Sequence, residues 1–323
     1  MEIDRLNAYL EILGFKEPSL IKVQSGESNI LYVFDTKDRK VVVKTSNPIM
    51  GWNNLKREYD NLRLLSDKTN ISPCPYDYND DFLGRPLEVI EYIEGESLSP
   101  NETDMVCDLS LLAKVIHHLD IRHNHEFRKY KSQLDFLLEI EDYTNKRMNG
   151  LSRLEVPGSV VGLLKRIVSR GNNQLKDRQK YFTDSNLTFC HKDFKPDNII
   201  VSPLGELKVI DWEYADICDP AFDLALLIGG LKLTREDRSV FIDRYDRNDT
   251  SIEQRIDTYI SYGRIPSLIW CVDRLFNQRY KPIRAERAKR YLAKARENID
   301  DLNINGVIEE KEMRNLNLVL ENC

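Results

Sequence analysis

His191-Lys192-Asp193-Phe194-Lys195-Pro196-Asp197-Asn198, followed by Ile210-Asp211-Trp212-Glu213, is the most informative stretch of this chain. Apolar runs at Leu187–Cys190 and Ile199–Val201 flank the first segment, so its polar residues form a turn that contains Pro196. A third run, Leu207–Ile210, ends at Asp211, and Pro203 and Gly205 lie in the connection before it. The second and third runs therefore predict a hairpin. Such a hairpin brings Asp193, Asn198 and Asp211 to one mouth. A carboxylate with an amide oxygen is a hard, all-oxygen ligand set that suits magnesium. Asp193 is then left to act as a base or to position a hydroxyl. A polar turn that binds nothing is the competing reading.

Upstream lie groups suited to a polyanion. Gln24-Ser25-Gly26-Glu27-Ser28-Asn29 sits between two β-like runs and contains one of only 14 glycines. Backbone N–H groups in such a turn can cradle phosphate oxygens, though the segment alone reads equally as an ordinary hairpin turn. Val41-Val42-Val43-Lys44 is a β-run ending in lysine. Pointing inward, Lys44 can pair with α- and β-phosphates. Glu58, on a helix expected over Asn53–Ser66, is placed to hold it. A solvated edge lysine and a surface carboxylate are the alternatives.

The surrounding pattern is α+β. A short helix is expected at Ile3–Leu13, then strands at Leu20–Val23, Leu31–Thr36, Lys40–Thr45 and Leu87–Ile93, with a loop at Pro73 and Pro75. Met105 to Leu119 has a helical apolar period, and further helices are expected over 131–147, 159–179, 234–245, 251–278, 282–302 and 307–321. One β-rich island, 187–211, interrupts them. The boundary is expected near Gly95. Residues 1–94 then form a small β-rich nucleotide-binding lobe, and residues 95–323 a larger, mainly helical lobe for catalysis and substrate binding.

Composition narrows the class. With 323 residues, 31% of them charged and a net charge of −6, the chain reads as a soluble protein with one large or two smaller domains. No apolar run approaches a membrane span. The first residues lack the basic and apolar regions of a signal peptide. Six scattered cysteines form no CxxC pair, which suits the cytoplasm. The acidity argues against nucleic acid as partner. Glu213, Asp216, Asp219 and Asp273 would instead suit a cationic small molecule.

The first segment resembles the kinase catalytic loop H-R-D-L-x-x-x-N, with the metal aspartate about eighteen residues on. The run Asp211-Trp212-Glu213-Tyr214-Ala215, continuing through Asp219-Pro220 to Asp223-Leu224-Ala225, is similar to the D-[WF]-E-Y-A…D-P-x-x-D-L-A signature of the aminoglycoside phosphotransferase and choline kinase family. Only residues 212–222 separate Asp211 from Asp223, which leaves no long activation segment for docking a peptide. The family usually has glycine where Lys192 stands. Lys195-Pro196 instead echoes the protein-kinase pair.

The resemblance implies a bilobal protein-kinase-like fold and an ATP- and Mg2+-dependent kinase for a small-molecule hydroxyl. It implies Asp193 as the catalytic aspartate and Asn198 and Asp211 as magnesium ligands, with Glu213 near a second metal. Lys44, held by Glu58, would bind the α/β-phosphates. Gly26, Ser28 and Asn29 would cover the triphosphate. Val89-Ile90-Glu91-Tyr92-Ile93 looks like the hinge, with the Glu91 carbonyl and Ile93 amide on adenine. His191 and Asp223 would brace the loop. Lys195 either reaches the γ-phosphate or faces solvent. Gly26 to Tyr32 and Asp211 to Ala215 are choline-kinase-like, which favours choline or ethanolamine. Aminoglycoside, thiamine or sugar kinases of the same family are the alternatives, and a reduced-form protein kinase is a further one.

Three features stand apart. His117, His118, His123 and His125 match no standard metal set, and a helix-end pair suits the dipole as well. Lys281–Arg296 is basic, and reads as a solvated amphipathic helix or as a nucleic-acid or membrane face. Trp270 and Asp273, neighbours on a late helix, could take a cation by ring face and carboxylate; a core tryptophan beside a surface aspartate is the other reading.

Overall fold

Alternating burial along the N-terminal strands builds the first sheet. The computed structural model describes residues 2–26, 28–47, 54–102, 104–121, 127, 130–151, 154, 156–183, 186–231, 233–277 and 281–321. Helix α1 (Glu2–Ile12) leads into β1 (Ser19–Ser25), β2 (Asn29–Asp35), β3 (Lys40–Ser46), α2 (Leu55–Ser66), β4 (Pro75–Phe82) and β5 (Arg85–Glu91). The strands form a sheet in the order β1-β2-β3-β5-β4, each pair antiparallel. Successive side chains along a strand face opposite sides. Tyr32, Phe34, Val41, Val43, Leu87 and Val89 therefore share one face, where Leu6 and Leu10 of α1, one helical turn apart, pack on them. Their alternates Val42, Lys44, Glu88 and Ile90 occupy the other face and are buried too.

Strand β4 corrects the loop expected at Pro73 and Pro75. It starts at Pro75 on the edge of the sheet, where a missing N–H removes no ladder bond. Its turn into β5 is Leu83-Gly84, with φ of +58° and +82°. Such turns usually announce themselves as Asn-Gly or Asp-Gly, and leucine conceals this one.

The chain divides into two compact units. The first comprises Met1–Phe127, Phe189–Asp216 and Gly230–Phe241. Besides the sheet it holds α3 (Val106–His117) and a second sheet, β6-β8-β9, of β6 (Glu96–Ser97), β8 (Ile199–Val201) and β9 (Leu207–Val209). The β8–β9 hairpin matches the one expected from the sequence. Gly95 enters β6 at φ +141°, so close to β8 that an added Cβ would lie 2.2 Å from the Val201 carbonyl oxygen. Only glycine lets the chain pass there.

The second unit comprises Arg128–Thr188, Ile217–Gly229 and Ile242–Cys323. It is helical: α4 (Gln133–Leu151), α5 (Gly158–Arg178), most of α6 (Pro220–Gly230), α8 (Ile252–Phe276), α9 (Lys281–Ile304) and α10 (Glu310–Glu321). Helix α7 (Arg235–Asp246) straddles the division, and short strands β7 (Thr188–Cys190) and β10 (Asp216–Cys218) complete the set. Phe136, Phe182 and Phe222 pack edge-on with one another or with Tyr259 at 5.2–5.4 Å. Helix α6 has no counterpart among the expected helices. It is apolar nearly all round and mostly buried, so no polar face marks its period.

The remaining expected helices form with ends shifted by a few residues. Glu27, Asn53, His123, His125 and Cys323 lie outside the described residues. No described helix is long and apolar enough to cross a membrane.

Candidate active site

The loop between β7 and β8 is built around His191. Its buried ring sits 4.5 Å from Trp212. Nδ1 accepts from the Asp193 N–H at 3.2 Å and Nε2 lies 2.9 Å from the Ile210 carbonyl, so the proton belongs on Nε2. Lys192 between these contacts has φ +62°, in the left-handed region. That conformation explains why glycine suits this place, since an L-residue there carries about 1–2 kcal/mol of strain. Lys192→Gly trades that strain for chain entropy and should change stability by less than about 1 kcal/mol. Lys192→Val, β-branched, should destabilise by roughly 1–3 kcal/mol. Urea unfolding of both variants checks the difference.

Asp193 is held from two sides. Lys195 Nζ donates to its Oδ2 at 2.6 Å and Asn198 Nδ2 to the same oxygen at 2.8 Å. Burial raises the Asp193 carboxyl above its usual range, and Lys195 tempers the rise. Asn198 Nδ2 also donates to the Asp193 carbonyl at 2.9 Å, so the amide nitrogen is committed to Asp193. Its Oδ1 is the group left to bind something else. The Ile210 N–H donates to the Asn198 carbonyl at 3.0 Å, which places Asp211 beside Asn198. Asp211 itself has φ +70°, a strained conformation of the kind concentrated at functional sites.

Lys44 reaches the same group. Its Nζ is 2.6 Å from Glu58 Oε1, 3.4 Å from Asp211 Oδ1 and 3.7 Å from Glu88 Oε1. Burial opposes its charge, but Glu58, Asp211 and Glu88 outweigh burial and raise its pKa. Burial likewise pushes Asp211 up, and Lys44 and Lys195 bring it below its usual range. Glu58 is presented by α2, whose buried side also carries Leu55, Asn61, Leu62 and Leu65. Asn61 Nδ2 donates to the Trp212 carbonyl at 2.8 Å. An Arg57 guanidinium nitrogen donates to the Ala215 carbonyl and to Asp216, each at 2.9 Å. Helix α2 is thus tied to the segment that follows Asp211.

Glu213 joins the cluster. Burial first, then the charges of Asp211 and Glu58, push its carboxyl up to about 8. The native chain therefore keeps a proton there that the unfolded chain releases near its ordinary value of 4.5. Stability should fall as pH rises through the window between these values. Glu213→Gln removes that dependence. Without divalent metal, its melting temperature should gain on wild type between about pH 5 and about pH 9, as thermal melts can show.

The β1–β2 turn is tight. The Gly26 N–H donates to the Asn29 carbonyl at 2.7 Å, and the Asn47 N–H to the Ser28 carbonyl at 2.8 Å. An added Cβ at Gly26 would sit 2.8 Å from the Asn29 carbonyl oxygen. Asn29 is buried, and its Oδ1 lacks a partner among the described residues. At the end of β5, the Glu91 N–H donates to the Cys74 carbonyl at 2.8 Å, and Glu91 Oε2 accepts the Cys74 N–H at 3.1 Å. No hydrogen bond among the described residues uses the Ile93 amide.

The structure thus gathers Lys44, Glu58, Asp193, Lys195, Asn198, Asp211 and Glu213. Trp270 and Asp273 lie on α8 in the second unit, already engaged. The Arg274 guanidinium carbon stands 5.2 Å from the Trp270 ring centroid, and Tyr291 meets that ring edge-on at 5.4 Å. Asp273 pairs with Arg274 at 3.2 Å and accepts from Asn277 at 3.1 Å. Asp216 and Asp219 likewise have arginine partners, Arg57 at 2.9 Å and Arg255 at 3.0 Å. Three of the four acids expected to suit a cation therefore already face cations of this chain. His117 is buried at the end of α3, and His118 Nδ1 lies 2.8 Å from the Lys114 carbonyl. Glu88, Arg57 and Asn61 were not evident from the sequence. Only Glu88 carries a signal there, as one acid inside an apolar strand.

Residues 19–259 match the phosphotransferase enzyme family, APH. The chain is 23% identical over 232 residues to a LicA homolog of Mycoplasma capricolum, covering 71% of this chain and 81% of that one. The crystal structure of choline kinase LicA from Streptococcus pneumoniae superimposes with a TM-score of 0.68 at 20% identity, covering 94% of this chain and 99% of that one. A LicA complex with AMP gives 0.64 at 19% identity, covering 93% and 97%. With that match spanning most of its length, the chain belongs to the phosphotransferase enzyme family and has the protein-kinase-like fold of the choline kinases.

Proposed function

We propose that this enzyme transfers the γ-phosphoryl group of ATP to a hydroxyl of a small metabolite, an amino-alcohol such as choline or ethanolamine. One observation carries the reading. Lys195 and Asn198 hold the carboxylate of Asp193, the Ile210 N–H on the Asn198 carbonyl sets Asp211 beside them, and Lys44 pairs with Asp211.

In this proposal residues 1–94 bind the nucleotide and residues 95–323 supply catalysis and acceptor binding. The Gly26–Asn29 turn covers the triphosphate, and Lys44, oriented by Glu58, binds the α- and β-phosphates. The Glu91 carbonyl and Ile93 amide take adenine. Asn198, with its nitrogen committed to Asp193, offers an oxygen, and Asp211 and Glu213 offer carboxylates; this all-oxygen set fits magnesium. Magnesium would neutralise phosphate charge when bound. Asp193 orients the acceptor hydroxyl. As its oxygen bonds to phosphorus, the O–H proton passes to Asp193 and the bond from γ-phosphorus to the β-bridging oxygen breaks, leaving ADP. Lys195, in contact with Asp193 and partly exposed, reaches the transferring phosphoryl oxygens. The work is mostly positioning and charge neutralisation. ATP as donor suits a cytoplasmic reaction.

The choice of amino-alcohol rests on the likeness to choline kinase, because Asp216, Asp219 and Asp273 already face arginines. Between Asp211 and α6 there is room only for one turn (Trp212–Tyr214) and β10, which supports a small acceptor over a peptide. A coupled ADP-release screen against choline, ethanolamine, thiamine, aminoglycosides and simple sugars tests the proposal. Turnover highest with choline or ethanolamine is expected. Turnover only with a sugar or an aminoglycoside overturns the acceptor. Label from ATP found solely in protein overturns the small-molecule class.

A further inference from the structure

Glu88 is a buried acid that none of these steps uses. It lies on β5 directly across from Lys44 on β3, fully enclosed, with Oε1 3.7 Å from Lys44 Nζ. That distance allows an ion pair but not a hydrogen bond. Neither Glu88 oxygen meets a donor among the described residues, and Glu58 Oε2 is orphaned in the same way. Glu58 Oε1 and Glu88 Oε1 lie 2.6 and 3.7 Å from the same Lys44 nitrogen, so the two carboxyls are neighbours. Two ionised carboxylates cannot bond to one another; an acid and a carboxylate can, because the acid donates. A buried polar group left unsatisfied is costly, and more so when charged. A single proton between them satisfies Glu58 Oε2 and one Glu88 oxygen, and leaves the other facing Lys44.

We propose that Glu58 and Glu88 share one proton behind Lys44, so that the pair carries a single negative charge and Glu88 is a positioning residue for the phosphate-binding lysine. The shared proton follows from this geometry alone; its effect on nucleotide binding rests on the function proposed above. Lys44 faces Glu58 from α2, Glu88 from β5 and Asp211 from the end of the β8–β9 hairpin. Tyr78 of β4, opposite Glu88 in register, stays neutral because burial raises its phenol. Glu213 is the next carboxyl. Fully ionised, Glu58, Glu88 and Asp211 would set three anions against one cation where phosphates must enter. A neutral Glu88 removes one of them. Burial, then the charge of Glu58, raises the Glu88 carboxyl well above the carboxylate range, as like charges in one buried site do.

Infrared spectra of the nucleotide-free protein read the proton directly. Glu213 adds a protonated-carboxyl band of its own, which Glu213→Gln removes, so that variant is the background for every spectrum. A second protonated-carboxyl band, present near neutral pH, should vanish in Glu88→Gln and in Glu58→Gln. In Glu58→Gln the amide can donate to an ionised Glu88, which then pairs with Lys44. A band unchanged in both variants overturns the proposal. Binding of a non-hydrolysable ATP analogue is then followed by calorimetry from about pH 6 to about pH 9. In the Glu213→Gln background, the protein that keeps Glu88 should weaken by about tenfold or more as the band disappears, and Glu88→Gln should stay flat. A Glu88→Gln protein that melts normally yet binds tenfold more weakly near neutral pH contradicts the positioning role. If wild type binds no nucleotide, the proposed function falls while the infrared band still decides the proton. If Glu88→Gln does not fold, Glu58→Gln and the pH course of the second band decide it.

Discussion

Asp193→Ala should lower phosphoryl transfer by about a hundred- to ten-thousand-fold and leave nucleotide affinity within about twofold. In the proposed mechanism the carboxylate takes the acceptor proton, and it touches none of Lys44, Glu58 or the β1–β2 turn through any described hydrogen bond. Its removal frees Lys195, which is 40% exposed and can be solvated, and Asn198, whose Nδ2 keeps the residue 193 carbonyl. The fold should therefore survive. Asp193→Asn is the stricter variant, since it still accepts from Lys195 but has no basic oxygen. Steady-state rates with calorimetric nucleotide titration separate the two effects. A matching loss of nucleotide affinity would mean that Asp193 serves binding instead.

Lys44→Met should lose both stability and nucleotide binding. Lys44 is the cation nearest to three carboxylates, and the Lys44–Glu58 pair is almost completely buried, with side chains 7% and 1% exposed. Breaking a buried pair from one side strands a charge and costs about 3–5 kcal/mol. Adding Glu58→Gln to Lys44→Met removes the stranded charge, so much of the stability should return. Nucleotide affinity should not, because the cation proposed to bind the phosphates remains absent. Urea unfolding and analogue binding on the two single variants and the double variant form a coupling cycle. Additive stability losses would show that the pair is not coupled.

The 191–198 loop was legible in the sequence because its geometry is local. Pro196 turns the chain, three short apolar runs set β7, β8 and β9, and the β8–β9 hairpin brings Asp211 to Asn198. Lys44 and Glu58 were legible for a similar reason, as a strand-end lysine followed by a carboxylate on the buried side of the next helix. Glu88 was not, because its meaning depends on β3 pairing with β5 in a register that places it opposite Lys44. Arg57 and Asn61 grip backbone carbonyls more than a hundred residues away, which no periodicity encodes. Trp270 and Asp273 show the converse. Their i, i+3 spacing was readable, but one position further on Arg274 already meets both the ring and the carboxylate. Helix α6 escaped because it lacks a polar face, and strand β4 because its aromatic residues are set among proline, asparagine and acids.

Phosphorus NMR on a mixture of the protein, magnesium, ATP and choline or ethanolamine tests the central claim most directly. The expected result is a new phosphomonoester on the alcohol, appearing in step with ADP and absent with Asp193→Ala. Inorganic phosphate forming in step with ADP and no phosphorylated alcohol, or the same ester formed by Asp193→Ala at the wild-type rate, would contradict it.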